Sequence, residues 1–520
     1  MNHVLNGLAV NPALPDELTD RLIEIADADL AGRLADRENL SRAQAVALLS
    51  RVDDGGVSLA YGGRLTAADV DPVQQPHAAL ALLDQGLGHP EWARLFAADP
   101  EVRIREKLAA CPGLPPDVTE RLAADPDVGV VVELALWTRE PGVAAPLAAH
   151  PHTEVRRAVA ANEATPPAVL AALLHGEGLP PAERCPVCDR RNTPGAQDPD
   201  DPRPHGLCPD DPRPHGLCPD DRDASSDAAC DGCHASASHD VRRAALANPA
   251  TPAEAAAGFA GHPGHRLRRA LAAHPGLPAE AARRLAADPD PGVRADLARN
   301  PAVDETSMRR LAEDEDMDVR RSLALNPRVP LDVLVRLARA ARIASTLLPR
   351  IAPASPEEVG RLAASPDAAA RMAVAQRRDL PAAVRDALAA DPDAKVVKSV
   401  APHPGLSEER LRSMVDRHGV HVVTPAALNP DASAALLETL ARHRPPVRKA
   451  LREIARHPRA GAPALLVCLT DRRARPLAAA HPALPPHVVT ELLSDPDESV
   501  AEAAAANPAL PLTVMRALIP

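Results

Sequence analysis

Residues 274–327 read HPGLPAEAARRLAADPDPGVRADLARNPAVDETSMRRLAEDEDMDVRRSLALNP, one phrase written twice at a spacing of 26 residues. Each copy opens on Pro278 or Asp304 and reaches a leucine seven residues later, Leu285 or Leu311. An acidic turn follows at Asp288 or Asp314, then Val293-Arg294 or Val319-Arg320, Leu297 or Leu323, and a closing Asn300-Pro301 or Asn326-Pro327. A fixed period of this length marks supersecondary units that bury their apolar faces only against neighbouring copies.

The same phrase recurs outward from this stretch. Openers fall at Pro15, Pro115, Pro166, Pro252, Pro330, Pro381, Ser407, Ser433, Pro485 and Pro511, with an apolar residue seven positions on in each case. Three residues after most openers the position is also apolar, as at Leu18, Val118, Val333 and Leu436, so the two positions share one helix face. Proline suits the first helical turn, where its missing N–H has no partner to lose. Thr251 and Glu254 have the spacing of a capping box. In the second half of the unit Asp288 is expected to cap a helix that carries Val293 and Leu297 four residues apart. The Asn-Pro pair then stops it, because the residue before proline is pushed out of the helical region. Two such short helices are unstable alone and hold only when stacked. The sequence therefore predicts an all-α fold, an α-solenoid of two-helix repeats of about 26 residues.

Composition agrees. The 520 residues are 45% hydrophobic but only 1% aromatic, with 58 prolines, so the core is aliphatic and the helices are short. A net charge of −12 and two Phe, two Trp and one Tyr argue against a nucleic-acid binder, which needs a basic face and stacking platforms. No apolar run reaches the length of a membrane span and the first residues lack a signal-peptide pattern, so a cytoplasmic protein is the expectation. The preference for Arg over Lys, with abundant Ala and Pro, points to a GC-rich bacterial gene.

Four segments emerge: degenerate repeats over 1–90, serving as a cap; clear repeats over 91–175; a Cys-rich insert over 176–239; and repeats again over 240–520. The phase slips at 338–355 and 443–463, where a bend or local disorder is expected. The end, NPALPLTVMRALIP, stops after a first helix, which leaves its cap missing or supplied by a partner.

At the level of NPxLPxxxxxxLAADPDxxVRxxLA the chain resembles the leucine-rich repeat variant (LRV) family, over most of 11–22, 92–175 and 240–520. The resemblance implies a right-handed superhelix of two helical layers without strands, one of them 3-10. The slightly longer unit here allows both layers to be α-helical, as in HEAT-type repeats. The resemblance also implies that a cysteine-ligated iron–sulfur cluster can accompany the repeats.

Chemistry concentrates in the insert. It holds Cys185-Pro-Val-Cys188 and Cys230-Asp-Gly-Cys233-His234, separated by the decapeptide PDDPRPHGLC written twice, which brings Cys208 and Cys218. Two CxxC knuckles give four thiolates, the donor set of a closed tetrahedral zinc site, and the metal would supply folding energy to a spacer that has no core. Cys185, Cys188, Cys230 and Cys233 are the expected metal ligands. Zn2+ is the first expectation and a 4Fe-4S cluster the alternative, since four thiolates serve both. The bland reading is a linker with incidental cysteines. Cys208 and Cys218 are expected to be spare, and the spacing leaves open whether they or His234 join the site. Cys111 and Cys468 read as ordinary small core residues.

An arginine recurs in one register: 105, 156, 242, 268, 294, 320, 371 and 475. It is expected to pair with an Asp of a neighbouring repeat, the other reading being an anion-binding groove. Histidines 150, 262, 274, 403, 457 and 481 precede prolines and stand in for Asp or Asn. No phosphate loop, nucleophile elbow or His/carboxylate constellation lies outside the insert. The expectation is a non-enzymatic scaffold that binds protein partners, with no nucleic-acid or membrane partner; the alternative is a redox- or metal-responsive protein carrying an iron–sulfur cluster.

Overall fold

The computed structural model describes residues 2–52, 56–186, 233–341 and 346–520. Among them the chain is all-helical and free of strands, an α-solenoid of short helices in sequence. Both halves of the repeat are α-helical; 3-10 turns occur only at Ala67–Asp69 and Gly258–Gly261 among the described residues.

The unit that begins at Pro278 shows how the sequence makes the repeat. Its first helix is Ala279–Leu285 and its second Pro291–Arg299. Ala282, Leu285, Val293 and Leu297 are all 0–1% exposed. Helices this short gain their stability from burial against the neighbouring unit, roughly 25 cal/mol per Å² of apolar surface.

Local details depart from the sequence expectation. The opener sits at the N-cap, one residue before the first turn: Pro278 has φ −63° and ψ 144°. Where the opener is Asp304, Ser407 or Ser433, its side chain instead accepts a hydrogen bond from the third helical N–H. Proline offers no acceptor and contributes only its preset φ. The second helix is capped by Asp290, not Asp288: Asp290 Oδ1 accepts from Gly292 N at 2.7 Å. Asp288 Oδ1 accepts from Asp290 N at 2.9 Å, which builds the turn ahead of the cap. The same pair of nested turns recurs at Asp125/Asp127, Asp314/Asp316 and Asp391/Asp393. Thr251 is not part of a capping box; its hydroxyl donates to the Ala245 carbonyl and Pro252 is the N-cap.

The Asn of Asn-Pro does more than stop a helix. Asn326 is fully buried and its Nδ2 donates to Ala298 O and Asn300 O of the preceding repeat, both at 2.9 Å. Its Oδ1 accepts from Arg328 N at 2.8 Å. Asn162, Asn248, Asn300, Asn429 and Asn507 make the same double stitch, each to carbonyls of the repeat before. Arg37 takes this place too, donating to Ala9 O and Asn11 O at 2.6 and 3.0 Å.

Packing divides the chain into two units, 79–337 and 1–78 with 338–520. Within the second of these, the stitches run on through the phase slip at 443–463: His457 reaches Asn429 O and His481 reaches His457 O. In the same unit the face beyond the carboxy-terminal repeat is not bare. Asn2–Ala9 packs on Glu498–Ala505, and Asn11 stitches to Ala505 O and Asn507 O at 2.8 Å each. The cap expected to be missing or supplied by a partner comes from the chain's own amino-terminal residues.

Candidate metal centre

The segment leading into the Cys-rich insert is pinned to a folded repeat. Glu183 N and Arg184 N donate to Pro151 O at 2.9 and 3.1 Å, and Thr153 N donates to Arg184 O at 3.0 Å. This parallel bridge between His152 and Arg184 lies at the N-terminus of helix Thr153–Ala161. Cys185, the next residue, is 0% exposed. Arg156 lies 8% exposed beneath it and binds His150 O at 2.6 Å and Pro181 O at 3.4 Å. The His150 imidazole is pushed toward its neutral form by burial and by the neighbouring His152, Arg156 and Arg184.

The segment leaving the insert returns to the same place. Helix Cys233–Ala247 packs along Thr153–Ala161, and Asn248 stitches to Ala160 O and Asn162 O at 2.9 and 2.8 Å. With Asn248 in register with Asn162, residue 239 is level with Thr153. Cys233 therefore starts about six residues, or ~9 Å, beyond the end beside which Cys185 lies. Both ends of the insert thus reach the same end of one helix pair.

Cys188, Cys208, Cys218 and Cys230 lie outside the described residues, as does the side chain of Cys233 and that of His234. Among the described residues no group of three or more His, Cys, Asp and Glu is arranged to hold a metal. The anchoring of Glu183 and Arg184 just before Cys185 was not legible beforehand, because it is made by the backbone of Pro151 and Thr153, which carry no motif. Cys111 and Cys468 are buried, and desolvation pushes both thiols up to about 12, with Asp84 and Asp471 adding to it. Neither is a ready nucleophile or ligand.

The arginine register is structural at most of its positions. Arg294 Nε and Nη2 fork onto Asp314 at 2.7 and 3.0 Å, while Nη1 donates to Asp288 O at 2.8 Å. Arg105–Asp125, Arg268–Asp288 and Arg371–Asp391 repeat this geometry, and Arg475 pairs with Asp495. Burial alone would raise the Asp314 carboxyl, but the Arg294 guanidinium and the Asp316 N–H hold it below the usual carboxylate range. Arg156 takes carbonyls in place of a carboxylate, and Arg320 binds the Asp314 and Glu315 carbonyls. The histidines divide between the two registers. His150 and His262 replace the Asp, each accepting from the N–H two residues on. His403, His457 and His481 replace the stitching Asn, reaching Ala375 O, Asn429 O and His457 O through Nε2, and His274 holds the same register with Nδ1 accepting from Gly276 N.

No protein-family model matches the chain, and no curated protein matches it. Among solved structures it is similar to the crystal structure of an engineered protein, at 16% identity over 97% of this chain and 98% of that one. The TM-score is 0.12, too low to carry an argument. No helix among the described residues is long and apolar enough to cross a membrane.

Proposed function

We propose that the chain is a non-enzymatic protein-interaction scaffold of the leucine-rich repeat variant type, with its insert stapled by a structural zinc ion. The observation that carries the metal reading is the placement of Cys185. Its residue is 0% exposed, and the two residues before it, Glu183 and Arg184, are tied by three backbone hydrogen bonds to the repeat that the other end of the insert rejoins. A thiol fixed at the root of a CxxC knuckle suits a closed metal site, where ligands are held before the metal binds. Cys185, Cys188, Cys230 and Cys233 would hold the ion as thiolates. Zinc would supply cross-linking and no open coordination position. The scaffold reading draws support from the recurring polar residues: the stitching Asn and most of the ladder Arg are spent within the stack.

Metal analysis of protein purified without air tests the proposal, together with its visible spectrum. One zinc per chain and no colour are expected. Cys185→Ser should abolish or greatly weaken binding and leave the insert open to protease, while joint replacement of Cys208 and Cys218 by Ser leaves the stoichiometry intact. Iron with sulfide and a brown absorbance would replace zinc by the cluster. Loss of metal in the Cys208/Cys218 variant, with retention after replacement of Cys230 and Cys233, would refute the ligand set.

A further inference from the structure

The start of each second helix offers two side chains whose nature changes along the stack. Nine and eight residues before the stitching residue stand Pro291-Gly292, Met317-Asp318, Ala394-Lys395, Val420-His421 and Glu498-Ser499. In two successive repeats between the last two of these, the same positions read Arg448-Lys449 and Arg472-Arg473. Over 442–475 the sequence holds ten Lys and Arg against Glu453 and Asp471, a net +8 in a chain of net −12.

The fold gathers these cations on one face. Helices Arg448–Arg456 and Arg475–Ala479 pack side by side. Asp471 Oδ1 accepts from Arg473 N and Ala474 N at 3.0 and 3.1 Å, as Asp290 Oδ1 does from Gly292 N and Val293 N. Arg472 and Arg473 are therefore level with Arg448 and Lys449. Arg452 and Arg456 continue from Arg448 at every fourth residue, along one side of the helix. All are exposed except Arg452, which is half-buried. Lys449, Arg452, Arg472 and Arg473 have no carboxylate oxygen within 4.0 Å among the described residues. The pairs that the others make are long, Arg448 to Asp471 at 4.0 Å and Arg456 to Glu453 at 3.7 Å. Elsewhere the ladder arginines are matched by an Asp of the next repeat; here like charges stand together and repel.

We propose that Arg448, Lys449, Arg452, Arg456, Arg472 and Arg473 form a docking surface for an acidic segment of a protein partner. The proposal rests on the scaffold reading and gives the scaffold one binding face. Charge complementarity names the occupant: guanidinium forks pair with carboxylates in two parallel hydrogen bonds. Size selects a short peptide. The cations along Arg448–Arg456 span about 12 Å, at roughly 1.5 Å per residue, and packed helices stand about 10 Å apart. About four to six extended residues cover that patch, at roughly 3.3 Å each. Duplex DNA is a rod with a charge about every 1.7 Å, and it outruns the patch. On one side Val420–Ala427 carries no cation, and on the other Glu498 and Glu502 repel phosphates.

Fluorescence anisotropy of the full chain with fluorescein-labelled deca-glutamate tests the proposal, with duplex DNA and phosphatidylserine vesicles as the competing probes. The peptide should bind, and more weakly as salt rises. Combining Arg448→Glu, Lys449→Glu, Arg472→Glu and Arg473→Glu should weaken it tenfold or more, whereas Arg283→Glu with Arg310→Glu, exposed cations of another part of the stack, should not. In the parent chain, bound peptide should protect Lys449 from acetylation and leave Lys107, Lys395 and Lys398 open, a result that needs no variant to fold. Absence of peptide binding, or binding with Lys449 unprotected, would overturn the surface and leave the scaffold reading to other faces. Equal loss in the two sets of variants would reduce it to overall charge. Tighter, Lys449-protecting binding of the duplex or the vesicles would replace the acidic peptide by a nucleic acid or a membrane and contradict the scaffold reading as well.

Discussion

At the residue scale the repeat spends its polar side chains on two inter-repeat contacts. The ladder pair is largely enclosed, with Arg294 at 13% and Asp314 at 9% exposure. Arg294→Ala strands a carboxylate that is held by few other donors. A loss of roughly 1–3 kcal/mol is expected, within the range of destabilising single substitutions. Arg320→Ala should cost less, because Arg320 binds carbonyls and has an alanine at position 340, where its carboxylate would come. Chemical denaturation of the two variants compares them. The stitching histidines bring a pH dependence. Nε2 of His481 donates to His457 O at 3.0 Å and Nδ1 accepts from Ala483 N at 3.1 Å, which requires the neutral ring. Burial pushes His274, His403 and His481 below the ordinary imidazole value. The unfolded chain therefore binds protons that the folded chain refuses. Stability is full above about pH 6.5, the unfolded value, and declines as pH falls below it toward the depressed folded values. His481→Asn should shrink the loss between pH 7 and pH 5, read by thermal unfolding at each pH; an unaltered pH slope counts against the tautomer assignment.

At the element scale, helices of five to eleven residues are typical, and the two apolar positions four apart in each helix decide where it packs. Leu297 is fully buried between second helices. Leu297→Ala should cost about 2–5 kcal/mol through lost burial and a residual cavity. Ala295→Ser, on the half-exposed side of the same helix, should change stability by no more than about 0.5 kcal/mol. Much of this scale was legible in the sequence. The Leu, Val and Asn-Pro recur at a constant spacing, and only a helix pair puts them on common faces. What was not legible is which residue caps. Asp288 and Asp290 both suit an N-cap by type, and only the geometry of the turn assigns the cap to Asp290 and frees Asp288 for Arg268. The stitch was hidden for a different reason. The acceptors of Asn326 lie 26 and 28 residues back, and a local reading of Asn-Pro sees only a helix stop.

At the scale of the whole molecule, the repeats and the insert are expected to draw stability from different sources. The flanking repeats bury their faces against each other, so Cys185→Ser should remove the metal yet leave the main thermal transition within about 2 °C of the parent, a shift of about 1 kcal/mol or less for a unit of this size. A collapse of that transition would mean that the metal holds the stack. The candidate centre was only half legible for a physical reason: CxxC spacing announces ligands, whereas the anchoring of Glu183 and Arg184, just before Cys185, arises from backbone contacts with Pro151 and Thr153. The account's central claim is that buried polar stitches, together with aliphatic packing, join each repeat to the one before. Equilibrium unfolding of Asn326→Ala against Asn326→His tests it most directly. The account predicts a loss of about 2–4 kcal/mol for Ala, which removes the donor to Ala298 O and Asn300 O and the acceptor of Arg328 N. It predicts partial recovery for His at neutral pH, because His403, His457 and His481 make this contact elsewhere through Nε2. Equal stability of the two variants, or an Ala variant as stable as the parent, would contradict it.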